Sequence, residues 1–311
     1  MRRRLNNRTG ETSGSRRALP RLALYGVMPV RKVWLFGRRS PLAAVCAAIL
    51  IVAALAAVFA DAVATHDPLA QDIPNRLKPA GGDFLLGTDN FGRDVFSRIV
   101  HGSQISLYVA VMSVLAGTVL GTSLGMASAY LAGWVDLVAQ RVVDASLGFP
   151  LLVLTVVIVV ALGASTHTVV FAIAVALMPQ MVRLSRSRAL SVKEEAYVMA
   201  ARAAGASLPR IVLKHILPHS LGPIIAHATG WVGAALVAES ALSFLGLGVP
   251  PPYPSWGGML QEGRQYLEVA PWLTVLPGLA LTITVLSFAL LGDALRDELD
   301  PRGSVRSPAK Y

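Results

Sequence analysis

A serine flanked by glycines at hydrolase-like spacing lies in the first half of the chain. Residues 121–125 read Gly-Thr-Ser-Leu-Gly, which matches the G-x-S-x-G pattern around the nucleophile of many serine hydrolases. That chemistry needs a histidine base, but the last histidine of the chain, His227, precedes the final apolar segment. The serine itself stands inside a long uncharged run. The pattern favours glycines that pack against a neighbour, with an intramembrane serine protease as the alternative.

The sequence contains no recognisable motif for a nucleotide-binding site or a metal site. The chain contains no Gly-Lys pair, so the G-x-x-x-x-G-K-[ST] phosphate loop is absent. His215 and His219 have an i,i+4 spacing, but Pro218 lies between them and no His-Glu-x-x-His surrounds them. We therefore predict no catalytic residue, no metal and no cofactor in this chain. Any ATP hydrolysis that drives its work must occur on another chain.

The composition of the chain is that of an integral membrane protein. Of 311 residues, 54% are hydrophobic and only 15% are charged, whereas soluble domains contain about 25% charged residues. The mean hydropathy is +0.57. The lone cysteine, Cys46, lies in an apolar run, excludes an internal disulfide and is expected to pack as a small hydrophobic residue.

The net charge of +10 comes largely from one end of the chain. Residues 1–39 contain eleven Arg and Lys residues and a single acid, Glu11. A basic flank before an apolar span is the positive-inside signal of a cytoplasmic N-terminus. No basic surface interleaved with aromatic residues is apparent, so the pattern argues against nucleic acid as a partner.

Charge-free runs predict six membrane-spanning helices. They cover residues 40–60, 105–135, two helices within 145–182 that meet in a hairpin at 163–168, 218–238 and 271–292. The fold class is therefore all-α and polytopic, with both termini cytoplasmic. The predicted parts are a basic cytoplasmic tail (1–39), a first helix with its outer loop (40–104), a core (105–293) that includes a cytoplasmic loop (183–217), and a second cytoplasmic tail (294–311).

Two features of these spans suggest how they are used. Small residues recur every fourth position in the second span and form a smooth face for a neighbouring helix, at Gly117, Gly121, Gly125, Ala129 and Gly133. Glu239 borders the fifth span, and an ionisable group at membrane depth is by default a functional hypothesis. We expect Glu239 at the outer, water-accessible end of that span, with a gating role as the alternative.

The polar loop before the fifth span is built to be rigid. Residues 194–202 favour a helix, Gly205 can end it in the left-handed conformation, and Ser207 can cap a second short helix with Pro209 in its first turn. Pro218 suits the first position of the fifth span. One side of the first short helix carries only small residues, which suits close docking into a partner, at Ala196, Ala200, Ala203 and Ala204. A solvated connection is the alternative.

This loop resembles the cytoplasmic "EAA" loop of ABC importer permeases, whose pattern is E-A-A-x3-G-x9-I-x-L-P. The matching residues are Ala200, Ala201, Gly205, Leu217 and Pro218. Met199 and His215 depart from the pattern, because they stand at its Glu and Ile positions.

Two further stretches, residues 86–107 and 241–260, resemble signatures of the second permease subunit of dipeptide, oligopeptide and nickel importers. The residues that carry this resemblance are Gly87, Thr88, Asp89, Gly92, Arg93, Asp94, Ser243, Phe244, Leu245, Gly246, Gly248, Ser255, Trp256 and Gly257.

The resemblance implies a type I ABC importer transmembrane domain in the bacterial inner membrane. It implies four kinds of partner: a homologous second permease, two ATP-binding subunits that hold ATP and Mg, an extracytoplasmic solute-binding protein, and membrane lipid. The loop 194–218 would couple ATP hydrolysis to movement of the helices. Peptides are the expected solute, nickel is the alternative, and a proton-coupled carrier is the rival of another class. The solute-binding residues stay unknown at this stage.

Overall fold

The computed structural model describes residues 40–299. The predicted tail 1–39 lies outside these residues, as does most of the predicted tail 294–311. In chain order the α-helices of the described part are α1 (Pro41–Val58), α2 (Ala60–Val63), α3 (Val95–Leu131), α4 (Gly133–Leu147), α5 (Leu151–Leu162), α6 (Thr166–Lys193), α7 (Ala196–Ala203), α8 (Leu208–Ile211), α9 (Leu217–Phe244), α10 (Trp256–Gly263) and α11 (Trp272–Leu299).

Within residues 40–299, five helical segments are long and apolar enough to cross a membrane: α1, α3, α6, the continuous helix Leu208–Phe244, and α11. The pair α4 and α5 passes the same test jointly but is bent by 95°. Because α5 has only 12 residues, or about 18 Å, it is too short to cross about 30 Å of hydrocarbon as a single helix. The described residues thus form an all-α bundle with five such helices, and with six crossings if the bent pair α4 and α5 is counted as one.

The small-residue face of α3 packs against α6. A Cβ at Gly121 would lie 2.7 Å from Cβ of Met181, and one at Gly125 would lie 2.4 Å from the carbonyl oxygen of Val182. Such distances leave no room for a side chain, so the two backbones approach closely. The prediction of a packing face is confirmed for Gly117, Gly121, Gly125 and Ala129. Gly133 lies outside it, because α3 ends at Leu131.

The start of α3 lies ten residues before the predicted start at residue 105. The carboxylate of Asp94 caps the helix by accepting a hydrogen bond of 2.9 Å from the Ser97 N–H. The prediction placed the start too late because it treated Arg98 as a loop residue. Arg98 is instead buried and paired with carboxylates, so its charge does not end the helix.

Paired charges also explain why α6 ends at Lys193 and not at the predicted residue 182. Arg186 donates two hydrogen bonds of 2.6 Å to the carboxylate of Asp136 on α4, and Arg183 pairs with Asp144 at 2.5 Å. These pairs extend the helix through the first part of the predicted polar loop. The hairpin near Gly163, by contrast, is where the sequence predicts it, between α5 and α6.

The fifth crossing begins before Pro218, the predicted first residue. Residues Leu208–Phe244 form one helix of 37 residues, in which a π-helical turn, Val212–Ile216, joins α8 to α9. Proline has no N–H and its ring crowds the carbonyl four residues earlier, so a wider turn before Pro218 lets the helix continue. The C-terminal limit, Phe244, is also later than the predicted residue 238.

Candidate functional site

Two groups of residues from the sequence patterns lie at opposite ends of the long helix Leu208–Phe244. We call the end that carries α7 and α8 the loop end, and the end that carries α10 and residues 65–94 the signature end.

At the loop end, α7 is anchored through one side only. Val198 is buried in a cluster with Ile211, Ile216 and Met126. Val198 thereby fixes α7 against the π-turn and against α3. The small residues predicted to form a docking side are all exposed: Ala196, Ala200, Ala203 and Ala204.

A closed backbone turn follows α7. Gly205 has a φ of +78°; its N–H donates to the carbonyl of Arg202 at 3.0 Å, and the Ala206 N–H donates to the carbonyl of Ala201 at 3.1 Å. This pair of bonds is the Schellman motif, which favours glycine at the left-handed position. The predicted role of Gly205 in ending the helix is confirmed, whereas the side chain of Ser207 makes no capping hydrogen bond to α8.

The residues of the loop pattern fall into two places. Ala200, Ala201 and Gly205 belong to α7 and its turn, while Leu217 and Pro218 are half-buried at the start of α9. Tyr197 contacts the rings of His215 and His219, with centroids 6.2 and 5.1 Å apart. The two histidines therefore take part in ring contacts between α7 and the helix that follows.

At the signature end, the first signature stretch is a folded loop. Gly87 and Gly92 have φ values of +81° and +76°, and a Cβ at Gly92 would overlap the carbonyl oxygen of Asp72. The carboxylate of Asp89 accepts the N–H groups of Phe91 and Arg93 at 2.8 and 2.9 Å. The backbone carbonyl of Thr88 accepts the indole N–H of Trp272 at 3.3 Å.

Asp94 is a junction between this loop and the outer end of the first crossing. Besides capping α3, its carboxylate accepts the hydroxyl groups of Ser97 at 2.6 Å and of Thr65 at 2.9 Å. The hydroxyl oxygen of Ser97 in turn accepts the N–H of His66 at 3.0 Å. The loop after α2 is thus fixed to the start of α3.

The second signature stretch forms α10 and the chain before it. Ser255 caps α10 by accepting the N–H of Gly258 at 3.1 Å, and the indole of Trp256 donates to the carbonyl of Ile99 at 3.0 Å. A Cβ at Gly257 would lie 2.5 Å from Cα of Ser240, so α10 lies directly on α9. Gly248 lies similarly close to Ser243, and Gly246 has a φ of +78°. The ring of Phe244 lies under the guanidinium of Arg264. Leu245 is the exposed C-cap of α9.

Charged side chains join the two signature stretches. Arg93 pairs with Asp89 at 2.6 Å and with Glu262 of α10 at 3.0 Å. Arg98 reaches the same two carboxylates at 3.4 and 3.0 Å. Both guanidinium groups are buried, and each lies between two carboxylates, so the network satisfies charges that would be costly to bury alone. Glu262 could not be predicted as a site residue from the sequence, because a single acid in a predicted loop has no recognisable spacing.

The expectation that Glu239 lies at a water-accessible position is wrong. Its side chain is completely buried, and its carboxylate accepts hydrogen bonds from the hydroxyl groups of Ser243 at 2.8 Å and of Ser240 at 3.3 Å.

Ser123, the serine with the hydrolase-like spacing, donates to the carbonyl of Val119 in its own helix at 2.8 Å. It therefore lies in a continuous helix and not in a nucleophile elbow.

The chain matches known membrane components over most of its length. The family model described as "Binding-protein-dependent transport system inner membrane component" matches residues 99–305, and the "N-terminal TM domain of oligopeptide transport permease C" matches residues 29–80. A dipeptide transport system permease protein DppC of Alkalihalophilus pseudofirmus is 40% identical over 276 residues, which cover 89% of this chain and 91% of that protein. The DppC protein of Haemophilus influenzae is 38% identical, with 88% and 95% covered.

Solved structures show the same fold at low identity. The MetNI methionine ABC transporter in an inward-facing conformation superposes with a TM-score of 0.54 and 20% identity, over 66% of this chain and 97% of that chain. The fold is thus that of a type I ABC importer transmembrane domain.

This protein belongs to the family of inner membrane components of binding-protein-dependent transport systems. It is a multi-pass permease subunit of a bacterial ABC importer, not an enzyme. The family works with a second permease, with ATPase subunits and with a binding protein. This membership decides against the intramembrane protease and the proton-coupled carrier.

Proposed function

We propose that this chain imports di- or oligopeptides as one half of a pair of homologous permeases. The solute assignment is supported by the relatives, which are named as dipeptide and peptide permeases at about two-fifths identity over most of both chains. A nickel importer is the alternative that the sequence left open.

The observation that carries the coupling part of the proposal is the exposed side of α7. Val198 packs the helix against the rest of the protein, and its small residues are exposed. Another protein can therefore approach its backbone closely. It is attached through a short, closed turn to a continuous helix of 37 residues. A displacement of α7 would therefore be transmitted to the long helix, because the turn between them is short and closed.

The two ATP-binding subunits would displace α7. ATP and Mg would be bound on those subunits, and this chain would contribute Ala200, Ala201, Gly205, Leu217 and Pro218 to the contact and its turn. The signature end, with residues 87–94 and 243–257, would face the extracytoplasmic binding protein. To change the dominant state of the bundle, ATP must favour one state by several kcal/mol, about 5.5 kcal/mol for a full reversal from 1:99 to 99:1.

The experiment that tests this function is uptake by the assembled system. The tagged chain is purified gently from its native host, the co-purifying proteins are identified, and the complex is placed in liposomes with its binding protein. We expect ATP-dependent uptake of a labelled dipeptide that stops when the binding protein is omitted. Uptake of nickel without uptake of peptides, or peptide uptake that needs no ATP, would contradict the proposal.

A further inference from the structure

A buried carboxyl group at the signature end has no role in the function described so far. Glu239 lies on α9 and is completely buried. Within residues 40–299 no Lys, Arg or His forms an ion pair with it. A carboxyl group inside a membrane-spanning bundle is costly unless hydrogen-bond donors surround it. Its surroundings therefore show what it is used for.

Four serine hydroxyl groups from three parts of the chain converge on this carboxyl group. Ser240 and Ser243 belong to its own helix. Ser106 of α3 and Ser255, the residue that precedes α10, lie beside the carboxyl group, and the Ser255 hydroxyl donates to that of Ser243 at 3.4 Å. Donors from three separate segments can be satisfied together only while those segments stay in place.

The same hydroxyl groups hold the first turn of α10. The hydroxyl oxygen of Ser106 accepts the backbone N–H of Trp256 at 3.2 Å. The hydroxyl oxygen of Ser255 accepts the N–H of Gly258 at 3.1 Å, and it lies 3.4 Å from that of Ser243. Glu239 is thus linked to the start of α10 through the hydroxyl groups of Ser243 and Ser255, with Ser106 beside it.

The other end of α10 is held by charge. Glu262 accepts hydrogen bonds of 3.0 Å from Arg93 and from Arg98, and both arginines belong to the first signature stretch and the start of α3. With serines at its first turn and Glu262 in its last, α10 has polar attachments to the rest of the bundle at both ends.

We propose that Glu239 is a positioning residue that fastens α10 to α9, so that movement of the long helix at the loop end is delivered to the signature end. The carboxyl group lies near the C-terminal end of the continuous helix Leu208–Phe244, whose first residues adjoin α7. Without it, α9 could move while α10 stays behind. The inference rests on the proposed function for its transport readout, but its structural readout is independent of any solute.

The test compares two serines of α3 that are equally buried. Ser106→Ala removes the hydroxyl group that accepts the Trp256 N–H at the start of α10 and lies beside Glu239. Ser113→Ala is the matched control, because the Ser113 hydroxyl is also fully buried and bonds only to the carbonyl of Val109 in its own helix. Glu239→Gln and Glu239→Leu change the carboxyl group itself; the first keeps one oxygen acceptor and the second keeps only bulk.

The first readout is backbone hydrogen exchange in the purified complex, followed over residues 256–263. We expect Ser106→Ala and Glu239→Leu to reduce protection there by about tenfold or more, the factor that corresponds to losing one hydrogen bond to a charged group. Glu239→Gln should have a smaller effect. Protection in α6 should be unchanged, and Ser113→Ala should resemble the parent complex throughout.

The second readout is the number of peptides taken up per ATP hydrolysed. Ser106→Ala and Glu239→Leu should lower this ratio while basal ATP hydrolysis and recovery of the complex stay normal. Unchanged exchange in α10, a ratio equal to that of the parent complex, or an equal loss in Ser113→Ala would overturn the inference. If the parent complex takes up no peptide, the proposed function fails, and the exchange result still decides whether Glu239 holds α10. If Glu239→Leu does not assemble, Glu239→Gln decides, because it changes the carboxyl group and leaves the Ser106 acceptor of the Trp256 N–H in place.

Discussion

The loop end and the signature end of this permease are held together by different kinds of contact. At the loop end, α7 is fixed by a single apolar anchor, Val198, and by ring contacts of Tyr197, and its small residues are left exposed. At the signature end, buried charge pairs, a carboxyl group among serines and glycines in close contact join α3, α9 and α10.

This difference explains how one helix can serve two tasks. A surface that receives force from a partner must be open and smooth, so little of its own chain covers it. A part that must move as a unit needs directional contacts, and charge-assisted hydrogen bonds supply them. We therefore expect substitutions at the signature end to affect stability, and substitutions at the loop end to affect partner binding and coupling.

The largest effect is expected from the buried charge network. Arg98→Met should lower the free energy of unfolding by about 3 kcal/mol, the lower end of the range for breaking a buried ion pair, because Arg93 still pairs with both carboxylates. The measurement is denaturant unfolding of the purified chain in micelles. The control is Arg183→Met, because its pair with Asp144 is roughly half-exposed and should contribute at most about 1 kcal/mol. Equal losses in the two variants would contradict the contrast between buried and exposed pairs.

A charge on the exposed side of α7 should have the next largest effect. Ala200→Glu should weaken binding of the ATPase subunits by at least about tenfold, because an unpaired carboxylate in an interface costs about 2–5 kcal/mol. Recovery of the ATPase subunits with the tagged chain, across a titration of their concentration, measures this change. Ala200→Ser keeps the side chain small and should bind normally. Undiminished recovery with Ala200→Glu would move the docking surface away from this side of α7.

The turn after α7 tests the connection itself. Gly205→Val should leave membrane insertion intact and reduce peptide uptake per ATP hydrolysed, because a left-handed conformation costs a residue with a Cβ about 1–2 kcal/mol. A Cβ at this position would meet no other atom within 4 Å, so backbone strain alone is tested. Gly205→Asn is the control, since asparagine tolerates this conformation. Normal coupling in the valine variant would show that the turn is not needed as a rigid connection.

Local signals in the sequence predicted the parts of this molecule that depend on neighbouring residues. The spacing of Gly117, Gly121 and Gly125 predicts a close helix contact, and Gly205 predicts the end of α7, because each signal depends on backbone sterics within a few residues. Residues 87–94 and 243–257 were singled out only by the resemblance to importer permeases, because their composition alone does not mark them as a site.

The errors at charged residues share one physical cause, which is contact between residues that lie on different elements or turns. Arg98, Arg183 and Arg186 were treated as boundaries of spans because a lone charge is costly in a membrane. Their carboxylate partners lie on other elements and cancel that cost. Glu239 was expected near water for the same reason, although the nearby hydroxyl groups of Ser240 and Ser243 are a visible signal that donors were available.

The smallest effect is expected at the serine that first suggested an enzyme. Ser123→Ala removes one hydrogen bond within α3, to the carbonyl of Val119, at an exposed position. Surface substitutions of this kind usually change the free energy of unfolding by no more than about 0.5 kcal/mol, so peptide uptake by the reconstituted complex should equal that of the parent. Ser185→Ala is the contrasting variant, because the Ser185 hydroxyl is buried and reaches the carbonyl of Gly121 on the facing helix at 3.2 Å, and it should reduce stability measurably. A complete loss of uptake in Ser123→Ala with normal assembly would require a chemical role for this hydroxyl group and would reopen the hydrolase interpretation.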